Sequence, residues 1–382
     1  MQQINEAFIR NICDRLSVLE SKVKKLEDNR FKPYKKRLEL FFYTMYERQN
    51  IWYRRFIEHL PQEEWTKDKC YSKYRFTNVY RELDRASQYL IKNIILNKDC
   101  WHKYKSDDDN YINLIWKMLF FRLINNPNVF ETVDAIADYN DYSPAKFYSY
   151  LKKNIISKDI PIAHGAFCQF SQHEVVDESG KKIKFADMGE YFAKYSLKRL
   201  HGHIKEIYDW MKQSHDSDKT ADDFIDWMSD TLDGCGRFMA HEFFQDMCYI
   251  KEYAGLDLMS YDANSATNSG PGSSAGSKYI FKNVKTNKDV IDAIKYLRDI
   301  AEDSLNKMHD EKFPDTDGFY YVAWDKDANK YKHTKFNFTL NQIEMWLCEF
   351  YKYVKYKDAK GTDEKVRVRN YSDKKSSDDL LY

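Results

Sequence analysis

Glycine and proline are scarce, 12 and 7 of 382 residues, well below the usual shares of about 7% and 5%. So little punctuation predicts long unbroken segments, which argues against a turn-rich sandwich or barrel and for helices. Cysteine offers no scaffold either. The seven (13, 70, 100, 168, 235, 248, 348) are odd in number, scattered and without a C-x-x-C pair. They read as reduced core thiols in a cytosolic or nuclear-type compartment, and not as a disulfide framework or zinc site. Histidine gives no metal pattern: His201 and His203 would fall on different faces of a helix. No window approaches the 18 consecutive apolar residues of a membrane span, and the first residues lack the order of a signal peptide.

Net charge is also missing. With 61 Lys plus Arg against 60 Asp plus Glu, the chain is no histone-like binder held to nucleic acid by bulk charge. Aromatics, in contrast, are abundant: 30 Tyr, 24 Phe and 8 Trp, able to fill a core or to stack on bases.

The pattern predicts an all-α protein in three parts. In residues 1–30, Ile9, Ile12, Leu16, Leu19, Val23 and Leu26 make a short a/d seam. It would lie on the body or join two copies through residues 9–26. Residues 31–356 form the helical body, and 357–382 a charged tail expected to be disordered. Within the body, helices are expected at 111–125, 143–155, 189–213, 219–232, 236–253, 287–309 and 340–356. Short hairpins are expected around 160–187 and 318–336. Thr339 and Gln342 suit a capping box for the last helix. Residues 31–85 are locally basic, 13 Lys plus Arg against 8 Asp plus Glu.

Four segments could carry chemistry. If residues 75–90 were helical, Thr77, Arg81, Asp84 and Gln88 would share a polar face opposite Phe76, Val79, Leu83, Ala86 and Leu90. A solvated face with an Arg81–Asp84 pair is the plain alternative. Leu232, Gly234, Gly236 and Ala240 follow an L-x-G-x-G-x-x-x-A pattern, fit for a tight turn into a helix N-terminus whose free N–H groups hold a DNA phosphate. A plain interhelical turn would use the same glycines. Acidic residues shortly downstream, Asp257 and Asp262, would suit work on a base. Residues 264–277 hold Gly270, Gly272 and Gly276 but end Gly-Ser-Lys, so a Walker A loop is absent and an intrinsic kinase is excluded. The stretch is either a flexible linker or a backbone nest over a phosphorylated substrate. In the last helix Glu349, Lys352 and Tyr353 gather beside the core stripe Leu340, Ile343, Leu347, Phe350 and Val354.

In order along the chain stand Glu47-Arg48, Trp65-Thr-Lys-Asp68, Arg75-Phe-Thr-Asn-Val-Tyr-Arg-Glu-Leu-Asp-Arg85, Phe121-Arg122-Leu123, His164-Gly-Ala-Phe167, Gly270-Pro-Gly272 and Leu347-Cys-Glu349 with Lys352-Tyr353. Together they resemble the alpha-glutamyl/putrescinyl thymine pyrophosphorylases, relatives of the helical domain of 5-hydroxymethyluracil DNA kinases. The likeness runs from about Phe31 to Lys355, with Tyr351 where an acid is usual and Lys355 where Arg is expected. It implies a helical fold related to helix-hairpin-helix DNA glycosylases, with small hairpin insertions. It also implies a transferase of bacteriophage DNA hypermodification: a separate kinase pyrophosphorylates 5-hydroxymethyluracil in DNA, and an amino acid or putrescine displaces the pyrophosphate.

On that reading the base is flipped out of the duplex. Pyrophosphate would be held by Arg48, Arg81, Arg85, Arg122 and Lys352 with Gly270 and Gly272, and a divalent metal could accompany it. Asp84, Asp262 or Glu349 would take the amine proton, and Asn78 or Tyr80 would donate to O4. Gly234, Gly236, Arg237 and Arg75 would hold DNA. The rivals are a glycosylase acting on a modified pyrimidine and a non-catalytic DNA-binding scaffold.

Overall fold

A computed structural model describes residues 31–162, 181–312, 321–325, 330–334 and 338–358. The heptad segment 1–30, the tail from 359 and most of the expected 160–187 hairpin lie outside the described residues. The fold is mainly helical, as the scarcity of glycine and proline predicts. Its longer helices are α1 (Lys35–Phe56), α2 (Asp107–Ile124), α3 (Pro144–Asn154), α4 (Leu197–Gln213), α5 (Ala221–Thr231), α6 (Arg237–Ala254), α7 (Pro271–Ile280), α8 (Asn287–Lys312) and α9 (Leu340–Asp358). The expected hairpin at 318–336 is present as β1 (Tyr321–Asp325) and β2 (Lys330–Thr334), antiparallel with Tyr321 opposite Thr334. Among the described residues no helix is long and apolar enough to cross a membrane, and the five described cysteines are free.

Local chemistry sets the ends. Pro144 and Pro271 open α3 and α7, where a missing N–H costs nothing. Thr220 and Asp223 close a capping box on α5. Asn125 ends α2 and Gly255 ends α6, both in the left-handed region.

The apolar side chains collect in two cores. One is continuous in sequence, from Tyr89 to Ala266, and centres on α2 with Trp116, Phe120 and Phe121 fully buried. The other joins the two ends of the described chain: Phe31 to Leu83 packs with Ile280 to Val354. The Tyr34 N–H donates to the Ile280 carbonyl at 2.8 Å, and that of Lys282 to the Lys32 carbonyl at 3.1 Å, fastening the start of α1 to the end of α7.

Two expectations are corrected. Residues 75–90 are not one helix. Arg75 to Asn78 have no regular structure, Val79 and Tyr80 form a bend, Arg81–Leu83 make a single 3₁₀ turn, and Arg85–Tyr89 begin a short helix that widens into a π-helical turn at Leu90–Ile95. Packing overrides the helical spacing because both sides of this segment are covered: Arg81, Glu82 and Arg85 are buried along with Leu83. The stretch 264–277 is no linker. From Pro271 it is helix α7, pressed on α9 so closely that a Cβ on Gly276 would sit 2.5 Å from the Leu347 carbonyl oxygen. Its glycines serve close approach between helices.

Candidate functional site

The site grows from Asp246, a fully buried acid on α6. Arg122 of α2 forks onto it, Nε to Oδ2 at 2.5 Å and Nη2 to Oδ1 at 2.6 Å. Arg81 reaches the same carboxylate from the 3₁₀ turn, Nη2 to Oδ1 at 3.1 Å, and pairs with Glu242 at 2.8 Å. Two arginines and two acids thus lie where the two cores meet. Removing any one would leave an uncompensated charge in low dielectric.

Beside this cluster runs a recess lined by Arg81, Glu82, Gln245, Tyr249, Glu252, Ala263, Thr339, Asn341 and Gln342. One wall is a stripe of α6: Gln245, Tyr249 and Glu252 follow at four- and three-residue spacing, one turn beyond Glu242. The opposite wall is the first turn of α9, where the expected Thr339–Gln342 capping box forms, with Thr339 N–H to Gln342 Oε1 at 2.8 Å. The Gln342 amide then donates to both oxygens of Glu82, at 2.9 and 3.2 Å. Glu252 stands at the exposed rim. Desolvation by the surrounding walls and then the Glu82 carboxylate push it up to about 8. Exposure at the rim tempers the first cause, so the like charge of Glu82 is the firmer one.

Glu344, one turn further along α9, is buried against the start of α7, where a Cβ on Gly270 would lie 3.6 Å from its carboxyl. Burial raises it to about 7; the Glu242 charge adds to this, and a hydrogen bond with Ser273 opposes it. Asp84 is raised to about 6 by burial, against the pull of Arg48 and of the Asn78 backbone N–H. Two carboxyls poised near neutrality within one arginine-rich region mark a candidate for proton transfer.

The residues singled out by the sequence fall into distinct places. On one side of the 75–85 segment, Arg48 donates to Asn78 Oδ1 at 2.5 Å and to the Phe76 carbonyl, and the Asn78 amide donates to Asp84 at 2.9 Å. Glu349 joins there, accepting from the Thr77 N–H at 3.2 Å and from Lys352 at 2.5 Å. Arg81 and Arg122 lie on the other side, in the Asp246 cluster. Arg85 points away to Asn128. Tyr80 is fully buried and stacks on Phe338, ring centroids 4.7 Å apart. Gly270 and Gly272 start α7 against Glu344 and Cys348. Asp262 is exposed and closes a turn through Asn264 and Ser265, outside the recess. Asp257 pairs with Lys251 at the surface.

Gly234 and Gly236 form the turn between α5 and α6. Gly234 has φ of 82°, and Gly236 opens α6 with no side-chain cap, leaving first-turn N–H groups for an anion. Arg237 beside them is paired with Asp222 and Asp226 of α5. Among the described residues no group of three His, Cys, Asp or Glu could hold a metal ion.

Sequence patterning overlooks Glu82, Glu242, Asp246, Glu252 and Glu344. A signal existed for three of them, because Glu242, Asp246 and Glu252 are acids spaced along a helix otherwise rich in Phe, Met and Tyr. Nothing in the spacing says that this stripe meets Arg81.

Residues 35–362 match the family described as 5-hmdU DNA kinase, helical domain. A curated relative, the 5-hmdU DNA kinase of Bacillus phage SP10, is 24% identical over 324 residues, which are 83% of this chain and 45% of that protein. The chain therefore spans less than half the length of that relative. No solved structure matches.

Proposed function

The chain belongs to the family of 5-hmdU DNA kinase helical domains, and from that premise we propose that it is a transferase of thymine hypermodification in phage DNA. It replaces the pyrophosphate of 5-(pyrophosphoryloxymethyl)uracil in DNA with an amine, working after a separate kinase. The observation that carries this is the buried Arg81–Arg122 cluster on Asp246, with Asp84 half-buried in the Arg81 segment and Glu344 buried at the start of α7, both carboxyls pushed up by desolvation. Amine transfer asks for that combination: cations against a leaving polyanion, and a carboxyl able to exchange a proton at working pH.

In the reaction the amine nitrogen bonds the exocyclic methylene carbon. The carbon–oxygen bond to pyrophosphate breaks, its electron pair leaving on oxygen, and the surplus amine proton passes to a carboxylate. Arg81 and Arg122, with Arg48 and Lys352 from the other side of the 75–85 segment, neutralise the leaving group. Asp84, Glu349 or Glu344 takes the proton. Asn78, whose amide hydrogens go to the Leu83 carbonyl and to Asp84, holds Asp84 in place, and Tyr80 braces its segment. The α5–α6 turn, through Gly234 and Gly236, holds a DNA phosphate while the base is flipped, in a helix-hairpin-helix manner like that of glycosylases. Arg237 stands beside that turn, and Arg75 adds charge from the 75–85 segment near Asp84.

A second reading has its own support. Because the chain spans 45% of a relative named as a kinase, it could serve as a DNA-holding module for a kinase partner. One experiment separates the readings: nucleoside mass spectrometry of pyrophosphorylated hydroxymethyluracil DNA incubated with the full chain and candidate amines. A mass matching amine in place of pyrophosphate supports the transferase. Abasic sites would mean glycosidic cleavage, and unchanged nucleosides on DNA that is nonetheless bound would mean a holding module.

A further inference from the structure

The surface cations of this chain are not spread evenly. Residues 32–39 carry four Lys or Arg against one acid, and residues 278–288 carry four Lys and no acid. The fold joins these two stretches in one seam. Pro33 bridges to Phe281, the Tyr34 and Lys282 N–H groups donate across the junction, and the Lys32 N–H donates to Asn283 Oδ1 at 3.1 Å. Seven positive charges in excess thus gather at one place in a chain whose net charge is +1.

These charges are left unanswered by the fold. Lys32, Lys35, Lys36, Lys278, Lys282 and Lys285 are exposed, and among the described residues none of them has a carboxylate partner. The acids that follow are engaged: Asp289 accepts from the Lys285 and Thr286 N–H groups, and Asp292 pairs with Lys288. Elsewhere surface cations meet acids, as Arg199 meets Asp233, Arg237 Asp222 and Lys251 Asp257. Crowded like charges repel and cost stability. Lys35, Lys36 and Arg37 add to that cost, because they occupy the first turn of α1, the positive end of its dipole.

Aromatic rings order the cationic heads. The Arg37 guanidinium lies over both the Tyr34 and Tyr279 rings, 4.2 and 4.3 Å from their centroids, and Nη1 donates to the Tyr279 carbonyl at 2.9 Å. Lys282 stands 4.9 Å from the same Tyr34 ring. Charge and shape then select the occupant. Lysine is depleted from the cores of protein–protein interfaces, and a membrane-surface anchor needs an apolar face to bury. The exposed aromatic here, Tyr34, is engaged by two cations, which takes it out of use as a stacking platform for single-stranded bases. Ordered cations of one sign suit a track of phosphates.

We infer that the seam between the start of α1 and the end of α7 binds the sugar–phosphate backbone of duplex DNA, as a second contact in addition to the α5–α6 turn. Helix α7 runs ten residues from Gly270, beside Glu344, to this seam, a length of about 15 Å. That is about four or five nucleotide steps along one strand, so the backbone engaged here flanks the base being modified. The inference rests on the transferase reading for which base is modified, but not for the affinity of the seam for DNA.

Gel-shift titrations of the full chain with an unmodified duplex at several salt concentrations test it. Wild type is compared with the double variant Lys36→Gln/Lys282→Gln, and with Lys251→Gln as a control whose lysine is paired with Asp257. The double variant should bind at least about threefold more weakly at low salt, and its slope of log affinity against log salt should be shallower by about two. Its melting temperature should not fall, since crowding of like charges is relieved. Lys251→Gln should leave affinity and slope unchanged. A double variant with wild-type affinity and slope, or a control that loses as much, would overturn the assignment. So would polyglutamate displacing the duplex as effectively, per charge, as unlabelled duplex does, because the seam would then be a dock for an acidic protein. If transfer occurs while the double variant binds as wild type does, the seam assignment fails and the transferase reading stands. If the seam binds as described and no amine-bearing nucleoside forms, the seam stands and the transferase reading falls.

Discussion

Arg122 grips Asp246 through two parallel hydrogen bonds, 2.5 and 2.6 Å long, with both side chains essentially out of solvent. Such a fork fixes orientation as well as charge, and Arg81 shares the same acid. Asp246→Ala should therefore cost about 3–5 kcal/mol of stability, the usual penalty for orphaning a buried charge. Two arginines are stranded at once, so the upper end is expected. Urea denaturation of the purified variant measures it, and a loss under about 1 kcal/mol would refute the description of the cluster as a buried ion network.

Glu344 gives stability a pH dependence of definite sign. Its folded-state value, about 7, lies above the ordinary carboxyl value, so the folded chain holds this proton more tightly than the unfolded one. The contribution is fully present below about pH 4.5 and is lost as pH rises through about 7. Asp84, raised to about 6, acts in the same direction. Glu344→Gln, which mimics the protonated form, should be near neutral at pH 5 and stabilising by roughly 2–3 kcal/mol at pH 8. Denaturation at the two pH values decides it. If Glu344 also exchanges the amine proton, that stabler variant should lose at least tenfold in transfer rate.

Gly276 should tolerate no side chain. Its missing Cβ would meet the Leu347 carbonyl oxygen at 2.5 Å and carbonyl carbon at 3.1 Å, both backbone. Gly276→Ala must push α7 off α9, at a cost of about 1–3 kcal/mol despite alanine's better helix propensity. Gly272→Ala meets Cys348 Sγ at 2.6 Å, so adding Cys348→Ala should restore part of its loss. A melting temperature unchanged in Gly276→Ala would contradict the helix contact.

DNA binding should depend on backbone more than on charge. With 61 Lys plus Arg balanced by 60 Asp plus Glu and a grip made by backbone N–H groups, the plot of log affinity against log salt should have a shallow slope, on the order of −2 to −4. Gly234→Ala, which strains a residue at φ 82°, should weaken binding several-fold. Arg237→Ala should change it less, because Arg237 already pairs with Asp222 and Asp226. Gel-shift titrations at several salt concentrations test all three statements.

The helical class, most helix positions, the 321–334 hairpin and the α9 capping box were legible because each arises from local signals: periodicity, scarce glycine, and a Thr with a Gln three residues on. The 75–90 segment was not. Its spacing suits a helix, yet Arg81 and Arg85 are drawn inward by partners some 40 to 165 residues distant, Asn128, Glu242 and Asp246, and no window of local sequence contains them. Likewise Gly272 and Gly276 read as linker chemistry because the atoms that require glycine, in Leu347 and Cys348, lie about 70 residues away. Arg81 and Arg122 were identifiable as individual residues. Their convergence on one acid was not.

The division of the interior into a continuous core and one made from both ends has a consequence for biosynthesis. The core from Tyr89 to Ala266 can consolidate while the ribosome is still translating α7, α8 and α9. The other cannot, since Phe31 to Leu83 must wait for Ile280 to Val354 to emerge. During that interval Phe41, Phe42 and Trp52 have no permanent cover, and Arg81 lies on the unfinished side. The recess is therefore among the last features to be completed, and a nascent chain stalled before residue 340 carries a finished α6 wall with no α9 wall facing it.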